Sequence, residues 1–133
     1  METAEKSKRT LVFGVFDCLH AGHKFFLKEA RERSGELVVV VTLPEVVYFL
    51  KKRWPKESME DRVAKLRAFD PTLTIVPGDL TLGEWKILAT HKPDRVLLGY
   101  DQQALGEELQ KLNIPFEFLP PYEPDQYKTS LLF

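Results

Sequence analysis

Disulfides are the first thing this chain lacks. Cys18 is its single cysteine, so no intrachain bridge can brace the fold, and stability has to come from a packed core. Long apolar runs are missing too: the longest, Leu37 to Val41, is far too short to cross a bilayer as a helix. Residues 1 to 9, METAEKSKR, have none of the apolar stretch that a secretory signal peptide needs. They read as a polar leader before one domain at 10–133, with the cytoplasm as the expected location. Nor is there an excess of either charge. The 19 Lys and Arg nearly balance the 20 Asp and Glu, for a formal net charge of -1, which gives no electrostatic reason to expect nucleic acid or a membrane as partner. Internal repeats, low-complexity tracts and interdomain linkers are absent as well. What remains is 133 residues, 44% of them hydrophobic, enough to bury a core without a structural metal.

The pattern of apolar residues predicts alternating strands and helices. Leu11 to Phe16 reads as a strand, followed by a helix from Ala21 to Arg33 with Phe26, Leu27 and Ala30 as its buried stripe. Ser34-Gly35 ends that helix. Glu36 to Thr42 contains the continuous Leu37-Val38-Val39-Val40-Val41 run of a strand covered on both faces. Pro44 to Pro55 is ambiguous, because the apolar Val46-Val47-Tyr48-Phe49-Leu50 runs straight into Lys51-Lys52-Arg53. Tyr48, Phe49 and Trp54 read there as core or interface. Ser58 with Asp61 is a helix-opening pattern, and Val63, Leu66 and Phe69 form one face of the helix. Further strands are expected at Leu73 to Val76, Arg95 to Leu98 and Phe116 to Leu119, with helices from Leu82 to Thr90 and around Leu105, Leu109 and Leu112. Five strands with crossovers of this length argue a single-domain, doubly wound, five-stranded parallel α/β sheet.

Chemistry concentrates where the first strand meets the first helix, in Gly14-Val15-Phe16-Asp17-Cys18-Leu19-His20-Ala21-Gly22-His23. First-turn amides lack intrahelical partners and carry partial positive charge, so this junction invites an anion. Gly14 and Gly22 suit a sharp turn or close approach of a ligand, and the two histidines could add donors to the same anion. A zinc-chelating or purely structural histidine pair is the alternative at this spacing, although no cysteine or carboxylate cluster accompanies it. Asp17 reads as a helix cap or as a loop-fixing hydrogen-bond acceptor.

Gly14, Phe16, Asp17, His20, Gly22 and His23 fill every fixed position of the GxFDxxHxGH signature, so the chain resembles the cytidylyltransferase-like nucleotidyltransferases. That resemblance implies a Rossmann-like fold of the HIGH superfamily. It also implies transfer of a nucleoside monophosphate from ATP or CTP to a phosphomonoester, with release of pyrophosphate. On the same basis His20, His23 and Lys51 would be catalytic. Gly14, Val15, Phe16, Gly22, Asp101 and the terminal Lys128-Thr129-Ser130 would hold the nucleotide and its phosphates. Arg53 and Arg62 would contact acceptor or phosphate. No protein-bound metal is implied, only Mg²⁺ arriving with the triphosphate, and a homodimer is expected.

Lys92-Pro93-Asp94 with Leu98-Gly99-Tyr100-Asp101-Gln102 is similar to a segment of archaeal-type FAD synthetases and glycerol-3-phosphate cytidylyltransferases. FMN is the preferred acceptor on this reading and an alcohol phosphate such as glycerol 3-phosphate the alternative. A nucleotide-binding module that does not turn over is a rival of another class. Three features depart from the pattern. Val15 stands where threonine is common, Lys128 where serine or arginine is usual, and Phe133 leaves no room for a full closing helix. Val46 to Leu50 is also unusually apolar, as a lid, a dimer surface or one wall of a pocket for a flat acceptor.

Overall fold

The structure, a computed structural model, describes residues 7–80 and 83–122. In chain order these form β1 (Ser7–Gly14), α1 (Ala21–Glu32), β2 (Ser34–Val41), α2 (Pro44–Lys51), α3 (Met59–Phe69), β3 (Thr74–Pro77), α4 (Lys86–His91), β4 (Arg95–Leu98), α5 (Gln103–Lys111) and β5 (Phe116–Phe118). The strands make one sheet in the order β3-β2-β1-β4-β5, and every pairing is parallel. From β1 the chain steps outward through β2 to β3, then returns to place β4 on the other side of β1. The expected doubly wound α/β sheet is therefore present, with its switch point between β1 and β4.

The continuous valine run of β2 is explained by what covers it. Leu37, Val39 and Val41 join a cluster with Leu27 and Ala30 of α1 and Leu66 of α3, while Val38 and Val40 join one with Ile87 and Leu88 of α4 and Leu109 of α5. Alternate residues face opposite sides of a sheet buried on both, and each such side chain contributes roughly 1.5–3 kcal/mol. No helix among the described residues is long and apolar enough to cross a membrane.

Several boundaries differ from the expected ones. Strand β1 starts at Ser7 instead of Leu11, so the end of the expected polar leader is strand. Polar residues are accommodated there by partners: Arg9 Nε donates to Glu36 Oε1 of the facing register pair at 2.8 Å, and the Lys8 and Arg9 amides donate to Asp94 Oδ2 at 2.6 and 3.1 Å. Strand β2 follows α1 almost directly, because the Ser34 hydroxyl closes the last helical turn on Ala30 O at 2.7 Å as the backbone enters the sheet. The ambiguous segment is helix α2, opened by Pro44 in its first turn and ended by Lys52 in the left-handed region at φ 61°. Helix α4 begins at Lys86, later than Leu82, because Trp85 before it is left-handed at φ 55°. Lys128, Thr129 and Ser130 lie outside the described residues.

Candidate active site

The motif loop leaves β1 at its carboxyl end and turns through two left-handed residues, Phe16 and Cys18, both at φ 53°. A phenylalanine held there is uncommon and needs surrounding structure to hold it. The restraint is packing: the Phe16 ring is buried among Val12, Val39 and Leu27, and its edge meets the His23 ring at 5.5 Å between centroids. Phe16, expected at the nucleotide, borders the same cleft as His20 and His23 while its ring packs against that of His23. Gly14 follows from the same ring, since a Cβ at Gly14 would lie 2.7 Å from Phe16 Cε2.

His20 is the N-cap of α1. Its Nδ1 accepts from the amides of Gly22 and His23 at 3.1 and 3.4 Å, and His23 Nδ1 accepts from the His20 amide at 3.2 Å. The anion-binding amides expected at this helix start are therefore taken by a side chain. Since a backbone N–H can only donate, neither Nδ1 carries a proton, and each neutral ring bears its N–H at Nε2. The two rings stack at 3.7 Å with planes 17° apart. Burial, then the neighbouring His20 and, more weakly, Lys51, push the His23 pKa down to about 4 against the opposing pull of Asp17 and Asp101. At neutral pH His23 is thus an uncharged donor. Gly22 leaves room for the capping ring, as a Cβ there would sit 3.1 Å from His20 Cε1.

Asp17 does not cap α1. Its Oδ2 and Oδ1 accept from the amides of Lys56 and Glu57 at 2.8 and 2.9 Å, and Glu57 Oε1 accepts in return from the Cys18 amide at 2.8 Å. Burial works to raise the Asp17 carboxyl, but the two amides and the Arg62 charge hold it below the usual range. Of the two roles read for Asp17, loop fixing is the one present. Lys65 pairs with the other oxygen of Glu57. This reciprocal clasp ties the motif loop to the chain between α2 and α3, which carries Arg53 and follows Lys51 at the end of α2.

Arg62 corrects an expectation. It was read as a phosphate or acceptor contact, yet it is fully buried, with Nη1 donating to Val15 O at 3.0 Å and Thr42 O at 2.9 Å. Burial lowers its pKa, opposed by Asp17 and Glu57. Arg62 is a strut between the ends of β1 and β2. Gln102, quoted in the sequence only as the end of the Leu98-Gly99-Tyr100-Asp101-Gln102 segment and given no role there, does the same for β1 and β4: it accepts from Gly99 N and donates to Phe13 O, each at 2.9 Å. No local pattern reveals this role, since its partner on β1 is a backbone carbonyl.

These elements border a cleft of about 1510 Å³ above the switch point. His20, His23, Gly14, Val15, Gly22 and Asp101 line it. From the basic run after α2, Lys51 and Arg53 line the cleft as well, whereas Lys52 Nζ lies over the Phe49 ring at 5.6 Å. Val46, Val47 and Leu50 of α2 line it too. Tyr48 and Trp54, expected as core or interface, stack on each other at 4.7 Å and are exposed, as is Phe49. The volume exceeds what one small ligand needs, and Lys51 and Arg53 add cationic donors to its lining. Such a cleft can hold two anions side by side and stabilise charge passing between them.

Known proteins share the sequence pattern and the fold. A profile of the family described as cytidylyltransferase-like matches residues 11–124. The FAD synthase of Thermococcus kodakarensis is 39% identical over 140 residues, covering 98% of this chain and 92% of that protein. The FAD synthase of Methanopyrus kandleri is 41% identical over 109 residues, covering 78% of this chain and 70% of that one. Among solved structures, a lipopolysaccharide core biosynthesis protein from Thermoplasma volcanium superposes with a TM-score of 0.74 at 30% identity, over 87% of this chain and 98% of its own. A pantoate-beta-alanine ligase from Francisella tularensis shares the fold alone, with a TM-score of 0.58 at 16% identity over 90% of this chain and 60% of the ligase. By its sequence, the chain belongs to the cytidylyltransferase-like family.

Proposed function

We propose that this nucleotidyltransferase is an FMN adenylyltransferase, which joins AMP from ATP to the phosphate of FMN and releases pyrophosphate. The observation that carries the reading is the stacked pair of neutral imidazoles at the switch-point cleft, in a chain whose relatives along nearly its whole length are FAD synthases. An FMN phosphate oxygen attacks the α-phosphorus of ATP as the bond to the bridging oxygen of pyrophosphate breaks. No bond to the enzyme forms and little proton transfer is needed, so catalysis consists of alignment and charge stabilisation. His20 and His23 donate through Nε2–H to phosphate oxygens. Lys51 offsets charge as it moves from attacking to leaving oxygen, and Arg53 grips a phosphate with its planar fork. The backbone at Gly14, Val15 and Gly22 lets the triphosphate approach, and Asp101 faces the nucleotide, with Lys128, Thr129 and Ser130 completing the phosphate site.

Mg²⁺ arrives with the triphosphate. Asp17, Cys18 and Glu57 bring donor atoms within 4.8 Å of one another. They do not suit a Mg²⁺ cage, because one donor is a soft thiol and both carboxylates already accept hydrogen bonds from the protein. ATP is favoured over CTP because the relatives are FAD synthases. The substrates are polyanions that do not cross membranes unaided, which supports a cytoplasmic enzyme. The exposed aromatic side chains of Tyr48, Phe49 and Trp54 support a homodimer, which sedimentation velocity checks. The test of the function is pyrophosphate release with Mg²⁺, crossing ATP and CTP against FMN and glycerol 3-phosphate. ATP with FMN is the expected productive pair; turnover confined to CTP with glycerol 3-phosphate would overturn the assignment.

A further inference from the structure

One part of the cleft is unexplained by phosphate chemistry. Part of its lining is apolar: Phe13 from β1, Ile87 from α4 and Leu105 from α5 cluster with Trp85, and Val46 from α2 lines the cleft too, as do the acidic Asp79 and Glu108. Trp85 sits in the turn before α4 in a left-handed conformation, φ 55° and ψ 33°. An indole needed only for the core would be placed more easily by starting the helix earlier, with Trp85 in its buried stripe. Here the turn leaves it half-buried, its ring meeting Phe13 edge-on at 6.1 Å and 90°, and part of its surface in the cleft. Asp79 steadies this turn, its Oδ2 accepting from the Ile87 amide at 3.3 Å. A bulky residue held left-handed at the edge of a cleft indicates a requirement at that place beyond packing.

We propose that Trp85 selects the acceptor, its indole forming the face against which the isoalloxazine ring of FMN stacks. The inference rests on the reading of the chain as an FMN adenylyltransferase. The ring chemistry decides which substrate takes which end. Adenine has polar nitrogens around its edges and needs hydrogen-bonding groups beside it, which the carboxylate of Asp101 and the backbone following β4 offer. Isoalloxazine ends in a dimethylbenzene ring, flat, broad and apolar along its outer edge. Phe13, Val46, Ile87 and Leu105 carry no polar side-chain atom, so they match that edge and leave adenine unsatisfied. The phosphates of the two substrates then meet between the two ends, at His20, His23 and Lys51.

The test combines kinetics with Trp fluorescence. Trp54 and Trp85 are the only tryptophans, so Trp54→Phe leaves Trp85 as the sole indole reporter. Binding of FMN is expected to quench it, and ATP alone to leave it nearly unchanged. Trp85→Leu, which keeps the site apolar but removes the stacking face, is expected to raise KM for FMN by roughly tenfold or more while KM for ATP stays within about twofold. Trp85→Phe is expected to restore most of the affinity. Absence of quenching by FMN, or an unchanged KM for FMN in Trp85→Leu, would overturn the assignment of Trp85 while FAD synthesis by the wild-type protein still upheld the function. A rise in KM for ATP alone would move the wall to the nucleotide and refute the proposal. Wild-type protein that consumes another phosphomonoester and leaves FMN untouched would refute both readings.

Discussion

Replacing Arg62 with methionine separates a strut from a phosphate ligand. Methionine fills much the same volume, so the principal change is loss of the guanidinium that donates to Val15 O at 3.0 Å and Thr42 O at 2.9 Å. A hydrogen bond to a charged group contributes roughly 1.5–3 kcal/mol, and the substitution removes two. Part of this returns, because a buried cation whose Nε and Nη2 find no hydrogen-bond partner no longer has to be desolvated. The expected net loss is about 2–4 kcal/mol. At typical unfolding entropies for 133 residues, that lowers Tm by roughly 7 to 14 °C. Thermal and urea unfolding measure it. Because Val15 and Thr42 sit at the ends of β1 and β2, the folded fraction of Arg62→Met is expected to lose kcat with little change in either KM. An unchanged Tm with a selective rise in KM for one substrate would refute the reasoning and return Arg62 to the phosphate.

Other expectations concern the motif and its supports. The His23 ring should titrate near pH 4 in ¹⁵N NMR, with Nδ1 unprotonated at pH 6; a midpoint near the ordinary 6.5 would contradict the burial and stacking described. The unfolded imidazole binds a proton near pH 6.5 and the folded one only near 4, so stability should fall as pH drops through that window, and less so in His23→Gln. Gly14→Ala pushes a methyl group into the Phe16 ring and should cost roughly 1–3 kcal/mol, much of it recovered in combination with Phe16→Leu; additive effects would show that the ring is not the obstacle. Gln102→Leu should cost about 1–3 kcal/mol and speed hydrogen exchange at the Gly99 amide, and unaltered exchange would remove Gln102 as the clamp between β1 and β4.

What was legible in the sequence was local. The valine run of β2 announced a strand covered on both faces, and the six motif residues in ten at the β1–α1 junction pointed to residues that line the cleft. The role of Ser58 was legible too, its hydroxyl accepting from the Asp61 amide at 3.0 Å. What was not legible depends on partners far away in the chain. Arg62 was read as a ligand on the family resemblance, while its actual partners are carbonyls at positions 15 and 42, which no local pattern reveals. The choice between cap and loop-fixing acceptor for Asp17 was decided by the Lys56 and Glu57 amides, which claim the carboxylate. Strand β1 reaches back to Ser7 because Glu36 and Asp94 receive its polar residues, overriding the composition that made this stretch look like a leader. Trp85 was placed inside a helix because its spacing fits one, whereas the left-handed turn before α4 holds it at the cleft.

The central claim is that the neutral Nε2–H donors of His20 and His23 drive adenylyl transfer to FMN. Its most direct test is chromatographic measurement of FAD formed from FMN and Mg²⁺-ATP by the wild-type protein, His20→Ala and His23→Ala. The account predicts FAD and pyrophosphate in equal amounts from the wild type. It predicts a fall in kcat of roughly 10²-fold or more in each variant, the usual cost of one lost transition-state donor, with FMN binding retained. Wild-type rates preserved in both variants, or no FAD from any of the three proteins, would contradict it.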